Sequence, residues 1–195
     1  MRLSVVTIIL LCCAFIAGCG GKELPPHNPM GLSGKLNPEA EAAFARAHVL
    51  WDKNNVCTDP ALAVELLTKA VRLEPGYAVA YLRLGLAKSD LRDWDGAFDD
   101  ITKSIRLNPN AEAYAYRGLV SMRGGNFLGA RKDLDRSLEL KSRQHLAWNF
   151  RGALNLLEGR MKDACGDFEE GCDYGDCTGL ESVRARGECL SSGWF

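Results

Sequence analysis

The sequence predicts an all-α fold: a solenoid of about four stacked helix pairs, closed by a C-terminal capping helix. Three observations carry this. Gly85, Gly118 and Gly152 recur 33 and 34 residues apart, and Ala97, Ala130 and Ala164 keep the same spacing. Apolar residues fall at helical intervals between them, so each period holds two amphipathic helices. Prolines and Asx residues punctuate the periods where helices must start or stop. Self-similarity at such a period marks an array in which each unit buries its apolar face only against its neighbours.

The elements follow in order. "MRLSVVTIILLCCAFIAGC" opens with basic Arg2, runs apolar from about Leu3 to Ala17, and ends in small residues. That is the order of a secretory signal, and its apolar run falls short of the ~20 residues a spanning helix needs. Ile16-Ala17-Gly18-Cys19 resembles the bacterial lipobox. The resemblance implies cleavage before Cys19, with diacylglycerol on its thiol and an acyl chain on its amine. Residues 1–18 then form the signal peptide, and Cys12 and Cys13 leave with it. More than one chain anchors stably, since each buried methylene adds about 0.8 kcal/mol. In a host with two membranes, Gly20 after the cysteine points to the outer membrane, facing the periplasm. An uncleaved anchor or an ordinary secretory signal is the alternative. Residues 19–37 are rich in Gly and Pro and read as a flexible tether, with His27 solvated.

Residues 38–173 divide into repeats at about 39–75, 78–109, 111–142 and 145–173. Tyr81, Leu84, Gly85, Ala97, Ile101, Ser104 and Pro109 set the pattern. Tyr114, Gly118, Ala130, Leu134 and Ser137 repeat it, as do Trp148, Gly152, Ala164 and Phe168. The first repeat offers Ala63, Leu67, Ala70 and Pro75. This resembles the tetratricopeptide repeat (TPR). Asn37-Pro38 and Asp59-Pro60 place an N-cap before a first-turn proline, and Asp93 and Asn126 can cap second helices. Two departures stand out: Trp51 occupies the small-residue position of the first repeat, and Ser142 replaces the proline of the third. Asp100, Asp133 and Asp167 share one register, and Arg117 and Arg151 another, which predicts structural ion pairs; solvated faces are the plainer alternative.

Residues 174–195 are expected to form a cysteine-rich cap. Cys165 and Cys172 lie seven apart on one predicted helix, about 10 Å by rise, too far for a disulfide. "DYGD" reads as a turn and residues from about 178 to 190 as a helix running back, which predicts Cys165–Cys189 and Cys172–Cys177. A zinc site is the rival, although the cysteine gaps do not match the usual pairs. Cys57 is left over in a loop, either free or bonded to another chain.

The formal net charge of -1 argues against nucleic acid as a partner, which requires a basic excess. No catalytic constellation, cofactor motif or metal set stands out; His48 and His145 lie far apart on predicted helices. The TPR resemblance implies that the first helix of each repeat lines a concave groove. Transferred here, that register is Val79, Leu82, Leu86 and Ser89, then Ala115, Leu119 and Met122, then Asn149, Ala153 and Leu156. The lining is mainly apolar and lacks the Lys/Asn/Arg set that clamps a carboxylate tail, so an apolar or amphipathic segment is the expected guest. The cap, Trp194-Phe195 or the tether could fill the groove instead. The function expected is a non-catalytic, lipid-anchored adaptor for an envelope protein or peptide. The alternatives are an accessory protein using its thiols or a metal, or a self-assembling structural protein.

Overall fold

The computed structural model describes residues 36–52 and 56–189. The signal peptide, Cys19, nearly all of the tether and Trp194-Phe195 lie outside the described residues. Nine helices are seen among these residues: α1 (Pro38–His48), α2 (Pro60–Leu73), α3 (Ala78–Asp90), α4 (Trp94–Leu107), α5 (Ala111–Arg123), α6 (Phe127–Leu140), α7 (His145–Leu157), α8 (Met161–Asp173) and α9 (Thr178–Ala185).

The helix starts follow from capping chemistry. Asn37 Oδ1 accepts from the Glu39 and Ala40 amides. Asp59, Asp93 and Asn126 each accept from the amide three residues on. Each such cap contributes roughly 1 kcal/mol by satisfying an otherwise orphaned donor. Where the third repeat lacks its proline, the Trp148 indole N–H donates to the Ser142 carbonyl at 2.7 Å and holds the turn.

Pairing follows from size. Leu67, Ile101, Leu134 and Phe168 occupy one register of the second helices, and all are buried. The last three press into Gly85, Gly118 and Gly152 of the paired first helix. A Cβ on Gly85 would lie 2.5 Å from Ile101 Cγ1 and 2.8 Å from the Ala97 carbonyl oxygen. The absence of a side chain therefore sets how close the helices come. Each large side chain so buried contributes about 1.5–3 kcal/mol.

The helices stack in chain order, α1·α2 through α8·α9. In addition α5 touches both α3 and α7, whereas second helices of successive repeats make no comparable contact. The first helices therefore form the inner, concave layer.

The first repeat differs from the expected period. Eleven residues separate α1 from α2, where three join each later pair. Trp51 is not on a helix. It forms an isolated antiparallel bridge with Cys57, with the Thr58 amide and hydroxyl both donating to the Leu50 carbonyl. The small residue that corresponds to Gly85 is Ala43, buried and likewise five residues from its helix end. An eight-residue insertion in the turn explains why the 34-residue count landed on Trp51.

Candidate functional site

On the concave side lies a depression of about 680 Å³. Leu86 of α3, Tyr116 and Leu119 of α5, and Leu146 and Phe150 of α7 line it. Trp51 and Val56, from the inserted turn, close one end, and Asp176, from the turn before α9, and Thr178, the first residue of α9, close the other. Asp90, Arg123 and His145 complete the lining. The core beneath is continuous with it: Leu82, Leu86, Ile101, Tyr116 and Val120 form one cluster, and Trp51, Leu119, Leu146 and Phe150 pack against it.

Polar groups share this lining with the apolar side chains, and most of them are held by bonds. Arg123 Nη1 donates to Asp90 Oδ1 at 3.2 Å and to Ser89 Oγ at 3.1 Å. Arg83 stacks on the Trp51 ring, 5.2 Å from its centroid, and so steadies the wall. At the opposite end, Asp176 Oδ1 accepts from the Thr178 amide at 3.0 Å and from its hydroxyl. Burial acts to raise the Asp176 carboxyl, but the Thr178 hydroxyl and amide, with His145 nearby, hold it below the usual carboxylate range.

Only part of the expected groove lines this depression. Leu86 and Leu119 do. Leu82, Ser89 and Ala115 are buried between helices, because successive first helices pack directly on one another. Val79 and Met122 are half-buried outside it, Met122 packing against the core of α5, α6 and α7. Asn149, Ala153 and Leu156 belong to the cap: Asn149 Nδ2 donates to the Asp176 carbonyl at 3.0 Å. Ala153 and Leu156 pack on the cluster of Phe168, Leu180 and Val183. The groove of the last repeat is thus taken up by the chain itself. Periodicity could not reveal Trp51 and Val56, since both sit in the insertion. One signal existed: the capping residues Asn37 and Asp59 lie 22 apart, against 16 for Asn126 and Asn110, which caps α5 by accepting from the Ala113 amide.

The cap is closed by two disulfides. Cys165 bonds Cys189 with Cα atoms 5.3 Å apart, and Cys172 bonds Cys177 with Cα atoms 4.0 Å apart. Cys57 is buried and carries a free thiol, pushed up by that burial. Among the described residues no three His, Cys, Asp or Glu side chains gather as metal donors, and no helix is long and apolar enough to cross a membrane.

The recurrent charges form a ladder on the flank of the stack. Arg117 binds Asp133 through two bonds of 2.7 and 2.8 Å, and its Nη1 reaches Thr102 of the preceding repeat. Arg151 binds Asp167 in the same way and reaches Asp135. In the second repeat Lys88 takes the arginine's part, 2.6 Å from Asp100. Each arginine thereby joins three helices.

No family model matches the chain. Over 109 residues, 56% of its length, it is 30% identical to tetratricopeptide repeat protein 13 of Homo sapiens, of which it spans only 13%. TTC0263, a thermophilic TPR protein of Thermus thermophilus, superposes with a TM-score of 0.64 at 21% identity, over 77% of this chain and 81% of that one. YrrB, a TPR protein with an unusual peptide-binding site, superposes with a TM-score of 0.54 at 22% identity, over 70% and 69%. At these identities the solved structures speak to fold. Repeat period, helix pairing and these likenesses agree: the chain folds as a tetratricopeptide-repeat solenoid.

Proposed function

We propose that this protein is a non-catalytic adaptor that holds an apolar segment of a partner protein in its concave depression. The observation that carries this is the depression itself, about 680 Å³ in volume, in which Leu86, Tyr116, Leu119, Leu146 and Phe150 are exposed among polar groups and both ends are walled by segments outside the regular repeat. Its size falls within the range of built ligand sites, and an amphipathic helix or extended strand presents side chains at a spacing it can take. The peptide-binding site of YrrB supports the reading by analogy of fold. Ile16-Ala17-Gly18-Cys19 supports anchoring by lipid at Cys19, and Gly20 an outer-membrane address facing the periplasm. A pilotin-like role or service to a cell-wall enzyme fits such an anchor.

A photoreactive residue at Leu119, irradiated in living cells and followed by mass spectrometry, tests the groove. A single envelope protein captured there, and lost on Trp51→Ala, is the expected result. Self-capture alone overturns the reading.

A further inference from the structure

The two ends of the concave depression differ in charge. At the Trp51 end, Asp90 is already answered: Arg123 Nη1 donates to its Oδ1 at 3.2 Å. At the other end stands Asp176, half-buried in the lining. Neutral groups hold its carboxylate, the Thr178 amide and hydroxyl both donating to Oδ1. None of the ion pairs among the described residues includes it. His145 acts on it from beyond ion-pair distance and, with those donors, favours the ionised form. With His145 neutral, the lining therefore carries two acids, Asp90 and Asp176, against one base, Arg123.

The unpaired carboxylate is also fixed in place. The Asp176 amide donates to the Gly171 carbonyl at 3.1 Å, and its own carbonyl accepts from Asn149 of α7 at 3.0 Å. The Cys172–Cys177 disulfide brackets the same turn. A charge held this way loses little freedom when a partner group arrives. Asn149 is the chain neighbour of Phe150, so the charged end adjoins the apolar side chains that α7 offers. An acidic guest would set like charge against Asp176, whereas a basic one completes a pair that the chain leaves open.

We infer that the segment held in the depression carries a lysine or arginine beside its apolar side chains, and that Asp176 receives this cation. The inference rests on the adaptor reading above and adds the charge and direction of the guest: its cation lies towards α9, its apolar side chains over Leu119 and Phe150.

The test uses the full chain in a nonionic detergent and two labelled amphipathic peptides with one leucine stripe, flanked by lysines in the first and by glutamates in the second. Fluorescence anisotropy should show the lysine peptide binding roughly tenfold tighter at low salt, the margin shrinking as salt rises. Asp176→Asn keeps an oxygen to accept from Thr178, so the turn is retained, and should cut the margin to about threefold or less. Asp176→Glu keeps the charge and should keep most of the margin. Glu65→Gln removes an exposed acid outside the depression and should leave the margin unchanged. Trp51→Ala should weaken both peptides. Equal affinity for two peptides that Trp51→Ala does weaken overturns this inference and leaves the adaptor reading standing. A preference that survives Asp176→Asn, or falls as far with Glu65→Gln, overturns it too, since the whole chain's charge would then be the cause. Binding of neither peptide, or binding indifferent to Trp51→Ala, removes the depression as a site and this inference with it.

Discussion

Replacing Arg117 by Met isolates what the ladder contributes. Arg117 and Asp133 meet through two short, charge-assisted bonds, with side chains 18% and 11% exposed. Methionine keeps an apolar stem of similar length and removes the guanidinium, with its stacking over the Phe98 and Tyr114 rings and its bond to Thr102. Asp133 is then a buried carboxylate without its partner, a loss of about 3–5 kcal/mol. The variant should therefore be destabilised by about 3–4 kcal/mol. Adding Asp133→Leu removes the stranded charge and should bring stability back to within about 1 kcal/mol of the parent, as isosteric apolar replacement of buried pairs does elsewhere. Urea titration followed by circular dichroism measures all three proteins. A single variant that loses under about 1 kcal/mol, or a double variant no better than the single, would refute the claim that burial makes this pair matter.

Gly85→Ala gains about 1 kcal/mol of helix propensity, yet its Cβ meets Ile101 and the Ala97 carbonyl oxygen; a net loss of about 1–2 kcal/mol is expected from overpacking. The loss at Gly152→Ala should be at least as large in the same melts, because the Phe168 ring that its Cβ meets is buried and itself pressed against Gly179, and so has no room to turn away. Cys165→Ser with Cys189→Ser opens a loop of 24 residues and should weaken the cap by about 3 kcal/mol, read as faster hydrogen exchange throughout α9. Burial, with Glu41 adding to it, raises the Tyr77 hydroxyl from its ordinary 10.0 to about 12. Its neutral form is the one the fold favours, so that contribution is whole below pH 10 and is lost as pH rises towards 12; Tyr77→Phe should flatten this alkaline decline in denaturation midpoints.

Most of the architecture was legible because it repeats. Four residue types in fixed register specify where helices start, which side chains fill the interface and which backbones must approach, and each is a local demand visible in one dimension. The cysteine pairs were legible for a related reason: helix rise excluded one pairing, and an antiparallel return brought the others within reach. The groove was less so. Val79, Leu82 and Ser89 carry the right register, but register says which way a side chain points, not whether a neighbouring helix already lies there.

By itself, the sequence determined the helix pairs, their order and the chemistry of their ends, since caps, glycines and apolar stripes act over a few residues. The tertiary structure alone decided which concave residues stay open. That depends on an eight-residue insertion folding Trp51 back over α3 and on the cap descending onto Ala153 and Leu156. These are contacts between segments distant in the chain, whose energies depend on distance and exclusion of water rather than on spacing.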